Sequence, residues 1–234
     1  MSDDGSLVRN WKNINPGSEA PGVNVYGLLP WYERGPSSVD VRLLTIEPGY
    51  ALKTERFSGE AFYYFLAGNG ILTWHHDSTD LSYLIDNDTV GWIPGLHAHS
   101  FENTGEGPMR CLAVTCKTQG TYKMRDGNFQ KLNLVTPTIR KIADCSYGFH
   151  LDGAHRILGG GYQVFSPGKA QNDHSHEEEV IYLVRGKGKL ITGGNEYELE
   201  AGSAALTPRN IKHRLINTGH DLFGYIVLEF APEG

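Results

Sequence analysis

Short runs of Val, Ile, Leu and Tyr recur every eight to twelve residues along the chain, punctuated by Gly, Pro, Asn and Asp, and no window sustains a helical period. Runs such as Tyr162-Gln163-Val164-Phe165 and Val180–Val184 read as strands, and 29 glycines with 11 prolines supply the turns between them. The pattern predicts an all-β protein. In the second half, alternation is read as pointing Tyr162, Val164, Ile181, Leu183, Leu215 and Ile226 into a mostly apolar interior.

The punctuation also repeats. Residues 46–114 laid over 165–228 bring Pro48-Gly49 onto Pro167-Gly168, Tyr64 onto Tyr182, Gly68-Asn69-Gly70 onto Gly186-Lys187-Gly188, His99 onto His213 and Asn103-Thr104-Gly105 onto Asn217-Thr218-Gly219. Two copies of one module follow, each with the strand spacing of a small antiparallel barrel or jelly roll. The organisation expected is an N-terminal arm over residues 1–35, a first module over 36–118, a linker over 119–144 and a second module over 145–234.

The second module carries the chemistry. His174 and His176 stand two residues apart, so on an extended strand they share a face, while Glu179 and His213 come from flanking stretches. Three imidazoles and one carboxylate suit a divalent transition metal and leave coordination positions for water or substrate. Asn217 is expected to stabilise the turn after the ligand strand, from the face opposite His213.

These spacings resemble the cupin superfamily. Its first motif runs Gly, five residues, His-x-His, a short gap, Glu, six residues, Gly, and Gly168, His174, His176, Glu179 and Gly186 follow it. Its second motif is matched by Gly202, Pro208, His213 and Asn217, with Asn210 replacing a Gly after Pro208, a swap that still tolerates positive φ. Only Glu177 and Glu178 separate His176 from Glu179, one residue fewer than the usual minimum, so the carboxylate ligand is Glu179 with Glu178 as the alternative. The resemblance implies tandem cupin (double-stranded β-helix, jelly-roll barrel) domains, that is, a bicupin metalloprotein. It further implies one divalent metal, Fe(II) first, with Mn, Ni, Cu or Zn open.

Three functions are compatible with such a site. The leading expectation is a dioxygenase-type oxidoreductase acting on a small organic substrate that chelates the metal. The second is an isomerase, lyase or decarboxylase using the ion as a Lewis acid, with Glu178 or Glu177 as general base; Tyr182, next along the same strand, joins Glu178 as a catalytic candidate. The third is a small-ligand-binding module with a structural metal.

The first copy departs from the motif. Glu55 and Phe57 stand where the paired histidines would be and Ala61 where Glu179 would be, leaving His99 alone. A metal-free first module is expected, with a rearranged set of Glu55, Glu60, His97 and His99 as the weaker reading. For His150 and His155 a solvated or core hydrogen-bonding role is the first reading, and an approach to the mouth of the second barrel stays open.

Charge and cysteine content narrow the partners. A formal net charge of −6 with no basic face argues against nucleic acid or an anionic membrane. Cys111, Cys116 and Cys145 are odd in number and scattered, which fits a reducing, cytoplasmic setting rather than a disulfide framework. A monomer or homodimer acting on a small molecule is the expectation.

Overall fold

The computed structural model describes residues 5–30, 39–54, 59–76, 79–93, 95, 97–117, 130–133, 144–149, 151 and 154–232. Apart from a single turn of 3-10 helix at Trp11–Asn13, the regular elements among them are strands. Two compact units result. The N-terminal unit takes the described residues of 14–134 and 151–155, and the C-terminal unit those of 1–13, 135–150 and 156–232.

After β1 (Leu7–Asn10), the N-terminal unit is built from β2 (Gly17–Ala20), β3 (Val23–Leu29), β4 (Asp40–Ile46), β5 (Ala51–Thr54), β6 (Gly59–Ala67), β7 (Gly70–His76), β8 (Thr79–Ile85), β9 (Thr89–Ile93), β10 (Ala98–Asn103), β11 (Met109–Lys117) and β12 (Gln130–Asn133). Its two sheets run β12-β9-β6-β11-β4-β3-β2 and β5-β10-β7-β8. Between them one apolar cluster takes Leu52, Leu72, Trp74 and Phe101 from the smaller sheet and Leu44, Ile46, Ala61, Tyr63 and Phe65 from the larger.

The C-terminal unit uses β13 (Cys145–Gly148), β14 (Ile157–Phe165), β15 (Glu178–Arg185), β16 (Lys187–Thr192), β17 (Asn195–Glu200), β18 (Ser203–Thr207), β19 (His213–Asn217) and β20 (Phe223–Phe230). Its sheets run β1-β18-β15-β20-β14-β13 and β17-β16-β19. Ile181, Leu183, Leu190, Leu199, Ala205, Leu215, Phe223, Tyr225 and Val227 meet between them. Each unit is a jelly roll closed around its own core.

Repetition extends to individual hydrogen bonds. Asn103 Nδ2 donates to the Ile46 and Gly107 carbonyls and Asn103 Oδ1 accepts from Gly105 N. Asn217 does the same with Phe165 O, Asp221 O and Gly219 N. The turn role expected of Asn217 is therefore filled. Its expected face is corrected: Asn217 is four residues from His213, an even step, so both side chains lie on the buried face of β19. Gly186 ends β15 at φ 86°, and a Cβ there would stand 2.5 Å from Leu222 O, so only glycine fits the turn. Asn210 adopts φ 60°, the conformation anticipated for the residue replacing glycine.

Several expectations are corrected. The described residues of the N-terminal arm divide between the two units: β1 pairs with β18 of the C-terminal unit, and β2 and β3 extend the N-terminal sheet beyond β4. The region assigned as linker contains β12, paired with β9; residues 118–129 and 134–143 lie outside the described residues. Inward positions on β14 and β20 were read one residue out of register. Phe165, Phe223, Tyr225 and Val227 line the core, so Tyr162, Val164 and Ile226 face the other way. Those three are themselves fully buried, and a strand buried on both faces loses the alternation that reveals its register.

Candidate metal centre

Three short backbone arrangements bring the predicted ligands together. Residues 170–174 run antiparallel to β19, with His174 N donating to His213 O at 3.2 Å and His213 N returning a bond to His174 O at 2.9 Å. Asn210 N donates to His176 O at 2.8 Å and ties the ligand loop to the turn after Pro208. Glu179, the second residue of β15, pairs with Thr207 on one side and Glu229 on the other.

The result is a cluster of His174, His176, Glu179 and His213 whose ligand atoms all lie within 4.8 Å of one another. Two ligand atoms on one ion with bonds of about 2.0–2.2 Å are at most about 4.4 Å apart, so a set of this spread closes on a cation with shifts of a few tenths of an ångström. Each imidazole is oriented from behind. The Nδ1 atoms of His174, His176 and His213 lie 2.9 Å from the carbonyls of Asn172, Glu177 and Ile211, respectively. An Nδ1–H donated to a carbonyl leaves Nε2 as the ligating nitrogen and fixes the ring plane. His213 Nε2 is buried without a hydrogen-bond partner. A buried acceptor aimed at two other imidazoles and a carboxylate is what a cation would satisfy.

Electrostatics divide the ring nitrogens. The Glu179 carboxylate, 3.0 Å from His176 Nε2, raises the pKa of His176 to about 9. Burial lowers that of His213, whose Nε2 is 3.7 Å from the same carboxylate. Both Glu179 oxygens are thus directed at imidazoles.

The catalytic expectations for Glu178 and Tyr182 are corrected. Glu179, Ile181 and Leu183 share the face toward the core, so Glu178 and Tyr182, each an odd step from them, point to the opposite face of β15. Glu177 is drawn to Arg209 at 2.7 Å. A residue not anticipated lies near the cluster: Glu229 is directly across from Glu179 on β20, half-buried, and its charge contributes to the raised pKa of His176. Gln163, Gln171 and Tyr225 were also missed; the register error on β14 and β20 hid two of them. His155 belongs to the N-terminal unit, where its backbone N–H donates to Glu60, and His150 lies outside the described residues.

In the N-terminal unit the equivalent space is occupied by side chains. Tyr63 Oη lies 2.7 Å from His99 Nε2, and the ring of His99 packs edge-on against Tyr63 and Phe101. Ala61, at the place of Glu179, is buried in the apolar cluster. Among the described residues the His174 cluster is the one group of three or more metal-ligating side chains; Glu55 and Phe57 lie outside them.

His99 supports a test of this packing. Burial lowers its pKa from the usual 6.5 to about 4, so as pH falls through 6.5 the unfolded chain takes up a proton that the folded unit refuses. Stability should fall between pH 6.5 and 4, by about 3 kcal/mol on the scale of 1.36 kcal/mol per pKa unit. Urea unfolding at pH 7 and pH 4 should show a smaller loss for His99→Gln, which keeps an acceptor for Tyr63 without titrating. Equal losses in parent and variant would contradict the assignment.

Comparison with known proteins agrees with this geometry. A model of the cupin domain family matches residues 161–228, within the C-terminal unit. No curated protein matches the chain in sequence. Among solved structures, the chain is similar to the protein YlbA from E. coli, with TM-score 0.75 and 13% identity over 99% of this chain and 93% of that one. It is also similar to Lactobacillus farciminis oxalate decarboxylase in a formate complex, with TM-score 0.73 and 13% identity over 98% and 86%. A variant of the Bacillus subtilis oxalate decarboxylase gives 0.71 and 11% over 97% and 78%. At these identities the likeness establishes the fold, an all-β cupin jelly roll, across both units. Among the described residues no helix is long and apolar enough to cross a membrane.

Proposed function

We propose that the C-terminal unit binds one divalent transition ion, Fe(II) or Mn(II), through His174, His176, Glu179 and His213, and that the protein is a metal-dependent enzyme for a small organic substrate that chelates this ion. The N-terminal unit is a metal-free relative that contributes structure. The observation carrying this reading is the convergence of four ligands with every imidazole pinned through Nδ1 to a carbonyl and His213 Nε2 left buried for an ion.

Of the possible chemistries, lyase or decarboxylase action fits the surroundings best. When bound, the ion supplies a Lewis acid that stabilises negative charge on a substrate carboxylate, carbonyl or enolate oxygen. Glu229, across from Glu179 but outside the ligand set, is a carboxylate positioned to take or return a proton. Ile181, Leu183 and Leu215 keep bulk water from the reacting group. An oxygenase is the second reading, favoured by the apolar wall and by the two positions that four protein ligands leave on a six-coordinate ion.

Metal-loaded protein incubated under argon with a panel of small keto, hydroxy and amido acids separates the two. Undiminished substrate loss without oxygen is expected. A strict oxygen requirement would transfer the assignment to the oxygenase, and failure to retain any transition metal after purification without chelators would end both.

A further inference from the structure

One polar chain crosses the apolar wall of the C-terminal barrel. Gln163 and Tyr225 are direct cross-strand partners on the inner face. Tyr225 Oη donates to Gln163 Oε1 at 2.6 Å and accepts from Gln171 Nε2 at 2.9 Å, while Gln171 Oε1 accepts from Leu215 N at 2.9 Å.

The direction of this chain is fixed at one end. A backbone N–H can only donate, so Leu215 N holds the Gln171 oxygen and turns its amide nitrogen to Tyr225. The tyrosine proton is then passed to the Gln163 oxygen. Tyr225 is fully buried, and burial raises its pKa, so it remains a neutral donor. Gln163 Nε2 is left with no protein acceptor among the described residues, on a half-buried side chain. What this wall offers a ligand is a set of uncharged N–H donors.

No full positive charge accompanies them. The inner-face positions of β14, β15, β16, β18, β19 and β20 carry no Lys or Arg among the described residues; Arg185, beyond a bulge, turns to the outer face over Gly224. Glu179 and Glu229 already bring two carboxylates to this end of the barrel. A divalent ion with one carboxylate ligand retains a single net positive charge, which one substrate carboxylate neutralises. A second would be buried without a cationic partner, at a cost the neutral amides do not offset.

We infer, building on the metal assignment above, that the Gln163–Tyr225–Gln171 chain selects the substrate, and that this substrate carries one chelating acid group and one uncharged acceptor such as an amide, ureido or hydroxyl oxygen, rather than two carboxylates.

Oxamate and oxalate, similar in size and differing by an amide for a carboxylate, test this by titration into the Co(II)-loaded full chain, followed by the visible Co(II) spectrum. Oxamate should bind at least ten-fold more tightly than oxalate. Gln163→Leu and Tyr225→Phe should each cut that preference to less than three-fold while still taking up one Co(II) per chain, and Gln171→Arg should shift it toward oxalate. Equal or tighter oxalate binding by the parent overturns the inference. So does a preference unchanged in both Gln163→Leu and Tyr225→Phe, which would leave the chain a brace for the wall. Absence of any Co(II) spectrum overturns the metal assignment itself, and this inference with it.

Discussion

Replacing His213 with alanine is expected to lower metal affinity by roughly 100-fold or more while leaving the barrel folded. Structural four-ligand zinc sites bind their ion with about 10–16 kcal/mol, and on that scale loss of one ligand of four removes about 3 kcal/mol, each 1.4 kcal/mol being a factor of ten. His213 is the sharpest choice because its side chain is 1% exposed and its Nε2 has no other partner, so no water substitutes readily. The backbone bonds linking it to His174 do not depend on the imidazole. Elemental analysis after dialysis should show the metal lost from His213→Ala and retained in His220→Ala, an exposed turn residue. The same assay resolves the carboxylate: Glu179→Gln should lose metal and Glu178→Gln keep it. Parent-like metal content in His213→Ala would refute the ligand set.

The ligand residues were legible because their signals are local. Two histidines at an even step, a carboxylate at a fixed distance before Gly186 and a histidine after the Pro208 turn need only strand alternation to be grouped, and the structure gathers all four. The duplicated module was equally open, since its glycines and asparagines make turn bonds whose spacing is written into the chain. Pairing that spans long separations was hidden. Nothing in Leu7–Asn10 announces that its partners are Ser203–Leu206. Register failed on β14 and β20, where burial on both faces erases the alternation, and with it went Tyr225 and Gln163. Glu178 and Tyr182 were misplaced for a different reason. Once Glu179 is taken as the ligand, alternation alone sends both away from the metal, so that constraint was present in the sequence and not applied.

Deleting residues 1–13 is expected to abolish metal binding although none of the described residues among them is a ligand. β1 covers the outer edge of β18, and β18 in turn flanks β15, where Thr207 pairs with Glu179. The strand is anchored along its length: Ser6 Oγ lies 3.2 Å from Thr192 Oγ1, Val8 packs on the core, and Asn10 Nδ2 donates to Ser203 Oγ at 3.1 Å. Beyond it, Trp11 lies so close to Gly202 that a Cβ there would be 2.5 Å from the indole nitrogen. A few ladder hydrogen bonds at about 1 kcal/mol each, with partial burial of two aliphatic side chains at about 1 kcal/mol each, sum to about 5 kcal/mol. That equals the lower limit of a typical domain's stability, about 5–15 kcal/mol. The deletion would also turn β18, buried along its whole length, into an exposed apolar edge that invites aggregation. Metal content and thermal unfolding of the truncated chain are the measurements. Loss of metal with a transition lowered or lost is expected, and a synthetic peptide of residues 5–13 should restore uptake by re-forming the edge. A truncated chain that binds metal and melts like the parent would show that the barrel holds Glu179 in place without β1.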